Sequence, residues 1–382
     1  MMTVHQITEV ESFVVARSHY VRVRSSDGLV GLGQSAAWAY PDAVDAVVRE
    51  FRDYLLGQDA LRIEHHWQHL YRMGPFRGSI LSGALSAIDI ALWDLKGQLL
   101  EVPIWQLLGG KYRERIRLCL ILEPPAPTVE DLAAQAVAAL EEGYTAIKFD
   151  PLPDGYQDMT VAGLAGTVRA RIEAVRSAVG SDADIVIELH RKLTPSQFHY
   201  VAEALAPSKP ILIEDAIQID SIQAQAELAR RYNLPLATGE RLNTVWEFRE
   251  LLESGGPQFV RPDPGLAGGI SQCRKIAAVA EAYHATVCFH CYFGPILTAA
   301  TAHLDATIPN IAIQEYSIRT NEAAFSGAFA SHWKRDGGYL VVSEAPGLGV
   351  TFDESRAIGV WPPEWRLADT PNREDGSVAR AV

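Results

Sequence analysis

Three glutamates, Glu188, Glu214 and Glu240, stand at or beside the ends of three successive short apolar runs, IVIE, ILIE and PLATGE, each 26 residues from the last. Each run is followed by a helix-like segment, so the rhythm reads as one βα unit per acid in a parallel α/β fold. A parallel sheet gathers its strand ends along one edge. Carboxylates gathered there repel, and at about 4 Å with an effective dielectric near about 20 each like-charged pair costs roughly 4 kcal/mol. A cation among them removes that cost, so the spacing points to a metal site.

The same period continues on both sides. Short apolar runs begin near Arg117, Thr145, Ile185, Ile211, Pro235, Gln258, Thr286 and Ile311, with amphipathic helical segments between them. Eight such units joined by short loops predict a TIM-like (β/α)7β barrel over residues 116–320 rather than an open doubly wound sheet. Residues 1–115 have another character. ITEVESFVVA and HYVRVRSSDGLVGLGQ alternate in strand fashion around the turn signal Asp27-Gly28, and three helical segments follow. In the last of these Leu85, Ile88, Ala91, Leu92 and Leu95 recur at helical spacing behind a capping Ser82. The reading is an α+β capping domain. Residues 321–368 carry short β segments expected to return to it, and the small, polar stretch 369–382 reads as a mobile tail.

Composition narrows the function classes. With 48% hydrophobic and 21% charged residues the chain is an ordinary globular protein with a sizeable core. A net charge of −13 argues against sequence-independent nucleic-acid binding, which needs a basic surface. No apolar stretch approaches the roughly 18 residues of a membrane span, and no secretory segment opens the chain. Cys119, Cys273, Cys288 and Cys291 form neither a zinc pattern nor a disulfide scaffold. A cytoplasmic enzyme with reduced thiols and a small-molecule substrate is expected, with no nucleic-acid or membrane partner, as a homo-oligomer.

Barrel enzymes place their chemistry at the carboxyl ends of the strands. The ends here carry Lys148 and Asp150, Glu188 and His190, Glu214 and Asp215, Glu240 and Arg241, Asp263, His290 and Glu315. Together with GALSAIDIALWDLKGQ, WQLLGG, KFDP, ELH, IED, GER, PDPGLAGGI, FHCYFGP and QEYS in this order, that set resembles the enolase superfamily in its mandelate-racemase and muconate-lactonising branch. The resemblance runs to about residue 365. It implies Mg²⁺ held by Glu188, Glu214 and Glu240, and the all-oxygen donor set independently suits a hard cation.

The bases decide the reaction. Racemases of the branch carry K-x-K on the second barrel strand, whereas this chain has Lys148-Phe149-Asp150 and lacks the second lysine. His190 lies two residues beyond Glu188, so strand periodicity points both into the cavity. Glu-x-His with KFDP and GER is similar to the acid-sugar dehydratases. His290, with Asp263 on the preceding strand end, resembles the family's His-Asp dyad, in which the carboxylate fixes the tautomer and raises the base's pKa. The resemblance makes Glu315 a protonated acid bonded to the substrate carboxylate, and Lys148 a source of positive charge. His290 then removes the C2 proton and His190 protonates the departing C3 hydroxyl, leaving a 2-keto-3-deoxy acid.

From the capping domain, Ala16-Arg17-Ser18-His19-Tyr20, Trp38 and MGPFRGS at 73–79 offer contacts to a polyol tail. His19, Trp38 and Arg77 are the substrate-binding residues expected there, with Asp150 and Arg241 from the barrel. An epimerase or cycloisomerase using His290 with Lys148 remains open, as does a metal-binding pseudoenzyme.

Overall fold

The computed structural model describes residues 4–15, 18–323, 327–356 and 372–379. It opens with an antiparallel sheet of β1 (Ile7–Val15), β2 (Ser18–Ser25) and β3 (Val30–Ser35), turning at Asp27-Gly28. Helices α1 (Pro41–Leu55), α2 (Ile63–Arg72), α3 (Ser79–Leu99) and α4 (Ile104–Leu107) follow. Leu85, Ile88, Ala91, Leu92 and Leu95 of α3 are all buried. The helix packs on both sides, against β3 and against the barrel helix α10 (Gly269–Ala282). Its contact with β3 is close enough to dictate glycine. A Cβ on Gly31 would meet the Ala91 carbonyl oxygen at 2.0 Å, and one on Gly33 the Ala87 oxygen at 1.9 Å. Ser82 is not the cap expected of it: α3 begins at Ser79, and the Ser82 hydroxyl donates to the Asn243 carbonyl at 3.2 Å, tying the helix to a barrel loop.

The barrel alternates β4 (Arg115–Ile121), α5 (Val129–Glu141), β5 (Ala146–Phe149), α6 (Val161–Val179), β6 (Asp184–Glu188), α7 (Pro195–Leu205), β7 (Leu212–Glu214), α8 (Ile222–Arg231), β8 (Leu236–Thr238), α9 (Val245–Glu253), β9 (Phe259–Val260), α10, β10 (Thr286–Val287), α11 (Pro295–Thr307) and β11 (Gln314–Tyr316). Thr128, Thr160, Thr194, Ser221 and Thr244 each cap the helix they precede with a side-chain oxygen. Such caps contribute about 1 kcal/mol each, and they start the helices sharply after the loops that carry the strand-end residues. Neighbouring strands pair in parallel from β4 to β10, β11 pairs in parallel with β4, and a parallel bridge between Val287 and Ile311 completes the ring. The fold is the (β/α)7β barrel with an α+β capping domain.

The C-terminal segment divides its contacts. β12 (Phe329–Ser331) pairs with β15 (Val350–Phe352), and the Phe352 ring lies 4.7 Å from Tyr20 and 6.3 Å from Phe13 of the capping domain. Between them β13 (Lys334–Asp336) and β14 (Tyr339–Val341) form a hairpin that instead joins β4 through Tyr339–Arg117 and Val341–Arg115 pairs. Within 321–368, residues 324–326 and 357–368 lie outside the described residues. So do 369–371 and 380–382 of the stretch read as a tail; in the rest, Asn372 bridges Val378 and Ala379 is buried. Among the described residues no helix is long and apolar enough to cross a membrane.

Candidate active site

A cavity of about 500 Å³ opens at the carboxyl ends of the barrel strands, with Trp38 of the capping domain on its rim. Lys148, Asp150, Glu188, His190, Glu240, Arg241, His290 and Glu315 line it. The structure thus brings together most of the side chains picked from the sequence. Glu214 and Asp263 are fully buried just beneath. Two expected contacts are absent. His19 is 1% exposed, held by the hydroxyls of Ser12 (2.9 Å) and Ser35 (3.2 Å), and burial pushes its imidazole down to about 4. Arg77 is exposed, stacked over Tyr71 and bonded to the Gly74 and Phe76 carbonyls, and does not line the cavity. Ala16 and Arg17 lie outside the described residues.

One carboxylate oxygen from each of Glu188, Glu214 and Glu240 lies within 4.8 Å of the others. The chain itself answers part of their repulsion. The Lys148 ammonium reaches Glu188 at 2.7 Å, Glu214 at 2.6 Å and also Glu315. Arg261, 1% exposed, pairs with Glu214 at 2.5 Å and with Glu315 at 3.2 Å. Arg191 bridges Asp215 and Glu240. Repulsion alone therefore does not demand a metal, and the donor chemistry has to carry that inference. Arg191 and Arg261 were missed by the sequence reading, although an arginine next to a buried strand run, as in FVRPDP, signals a charge that needs a partner when it is buried.

These cations set the state of the acids. Burial opposes the charge of Glu315, but Lys148 and Arg261 hold its carboxyl down at about 2. Its carboxylate bonds to the Lys148 ammonium and accepts the Cys291 backbone N–H at 2.8 Å, so in this structure its neighbours pull its pKa down rather than up as expected. Glu188 and Glu240 are likewise held below the usual carboxylate range against burial, by Lys148 and Arg191 respectively. For Glu214 burial prevails and pushes the carboxyl up.

Two imidazoles face this cluster. His290 Nδ1 is 2.6 Å from Asp263 Oδ2, and its Nε2 lies 3.5 Å from Glu240. Burial opposes its charge, yet Glu240 and Asp263 raise its pKa to about 9. His190 Nδ1 is 2.9 Å from Asp150 Oδ2, which also pairs with Lys192 at 2.6 Å. Asp150, which also lines the cavity, is thus the carboxylate partner of the second imidazole. His190 reaches the cavity for a reason other than strand alternation: β6 ends at Glu188, and His190 sits at φ 46° in the left-handed region, its backbone N–H donating to Glu188 Oε1 at 2.7 Å.

Residues 3–109 match the N-terminal domain of mandelate racemase and muconate lactonizing enzymes, and residues 131–356 match the enolase C-terminal domain-like family. The chain belongs to the enolase superfamily. Within that superfamily it is similar to a D-galactonate dehydratase from Ralstonia nicotianae, 35% identical over 94% of this chain and 95% of that protein. A second D-galactonate dehydratase, from Ralstonia pickettii, is 34% identical over 94% and 95%. Among solved structures, an enolase from Agrobacterium radiobacter named as a putative galactarate dehydratase, with bound Na and L-malate, superposes with TM-score 0.89 at 28% identity, covering 98% of this chain and all of that one. A mandelate racemase/muconate lactonizing enzyme from a Jannaschia species gives 0.86 at 31%, covering 92% and 96%.

Proposed function

We propose that this enolase-superfamily chain is a Mg²⁺-dependent acid-sugar dehydratase, a hydro-lyase that converts an aldonate to a 2-keto-3-deoxy acid. One observation carries the reading. Two imidazoles, each paired to its own carboxylate, flank a single cavity beside an all-oxygen cluster. The fit to a hard divalent cation rests on that donor set: one buried carboxylate oxygen from each of the three glutamates, all within 4.8 Å of one another. Held by Glu188, Glu214 and Glu240, Mg²⁺ would supply Lewis-acid charge to the substrate carboxylate.

The residues do the rest. The Lys148 ammonium, fixed by Glu315, adds positive charge where the carboxylate's negative charge grows as the C2 proton leaves. Asp263 at Nδ1 leaves Nε2 of His290 to take that proton. From the facing wall His190, oriented by Asp150, gives a proton to the C3 hydroxyl, which departs as water. The enol that remains ketonises. The competing use of Lys148 as an epimerase base is less well supported: its ammonium is engaged by Glu188, Glu214 and Glu315 together, an arrangement that suits a fixed positive charge. Incubating the protein with a library of acid sugars and Mg²⁺ tests the proposal. A semicarbazide-reactive keto acid from at least one aldonate is the expected result. Deuterium exchange at C2 in D₂O with no keto acid from any sugar would assign an epimerase instead.

A further inference from the structure

In a closed eight-stranded ring each strand stands opposite the one four places away. β6, followed by His190, is opposite β10, followed by His290. β7 and β8, which lead to Glu214 and Glu240, are opposite β11 and β4. The line joining the two imidazoles therefore crosses the line from the acid cluster to the β11–β4 wall. A substrate with its carboxylate at the cluster and C2 and C3 between the imidazoles has that wall as one of the surfaces its remaining carbons reach, since Glu123 lines the same cavity.

The wall carries a polar group that the reaction leaves unused. Glu123, just past β4, lines the cavity with Tyr292 and Arg319. The Tyr292 hydroxyl donates to Glu123 Oε1 at 2.6 Å and the Ser317 hydroxyl to Oε2 at 2.7 Å. Both carboxylate oxygens are thus fixed in place, and each keeps a lone pair for another donor. Ile121, Leu122 and Phe149 lie on the same lining and offer nothing polar in its stead.

We propose that Glu123, braced by Tyr292 and Ser317, is the specificity-determining residue for the far end of the substrate: it accepts from a terminal hydroxyl and repels a second carboxylate, so the site takes aldonates and rejects aldarates. The inference rests on the acid-sugar reading and deepens it. A terminal hydroxyl donates to a carboxylate, whereas a terminal carboxylate brings only acceptors and a like charge. Arg319, which lines the cavity with Glu123, is a group that would favour the opposite preference.

The test compares an aldonate with the aldarate of matching configuration, both with Mg²⁺, by kcat/KM and by ligand-induced thermal shift. Wild type should prefer the aldonate, Glu123→Gln should lower the aldonate-to-aldarate ratio about tenfold or more, and Tyr292→Phe, which keeps the charge, should lower it less. An unchanged ratio in Glu123→Gln overturns the proposal, as does a wild-type preference for the aldarate that Arg319→Met abolishes. Should no acid sugar be turned over, the dehydratase reading falls by itself. The thermal shifts still decide the subsite: a larger shift with the aldonate that Glu123→Gln removes supports it, and equal shifts overturn it.

Discussion

The two imidazole walls are built alike and placed differently. On one, the His290 side chain is 15% exposed and its partner Asp263 1%, with Glu240 close to the other ring nitrogen. On the other, the His190 side chain is 36% exposed, and Asp150 divides its charge between the imidazole and Lys192. A group that must take a proton from carbon gains from a dry setting in which one carboxylate fixes its tautomer. A group that hands a proton to a hydroxyl has to be reloaded, and exposure to solvent serves that. The asymmetry supports the proposed division, with His290 as base and His190 as acid.

That assignment breaks most visibly at His290. His290→Asn should lose both C2 exchange and dehydration, a fall of about 10² to 10⁴ in rate for a general base, read by NMR in D₂O and by keto-acid yield. Next is the acid beside it. Glu240→Gln removes a ligand charge and should weaken Mg²⁺ binding by calorimetry and abolish turnover, while the fold persists because Arg191 keeps Asp215 as partner. Unchanged activity of the chelator-treated wild type would remove the metal from the account. Asp263→Asn leaves His290 without its anionic partner, so the loss should fall on kcat, and the limb of the pH profile that reports the base should move to lower pH.

The same wall makes a pH prediction for the metal-free protein. His290 is raised from 6.5 to about 9, against burial, by Glu240 and Asp263. The ionic contribution is therefore complete below about pH 6.5 and disappears as pH rises through about 9. Denaturation of chelator-treated protein should show the stability gap between wild type and His290→Asn closing across that window. A gap that widened with pH would contradict the raised pKa. The smallest effect belongs to Arg77→Ala, which should leave kcat/KM within about twofold because the side chain lies outside the cavity.

The barrel was legible because each βα unit repeats its period, and the three-glutamate cluster and the His290–Asp263 pair because strand ends converge by topology. His190 was found for a partly wrong reason. Its direction comes from a left-handed backbone turn beyond the strand, which periodicity does not encode. His19 and Arg77 show the other limit: the direction of a capping-domain side chain depends on how two domains dock, and Ser12 and Ser35 had already claimed His19. At Glu315 the sequence showed the acid and Lys148 but not Arg261, a second buried cation two residues before Asp263, because its partners come together only in the closed barrel.

The division of labour between the walls is tested most directly by following the C2 proton of a substrate aldonate in D₂O with Mg²⁺ and His190→Asn. The account predicts deuterium entering at C2 while no keto acid forms, since His290 still removes and returns the proton and the hydroxyl no longer has its acid. Loss of exchange in His190→Asn equal to that in His290→Asn would contradict it.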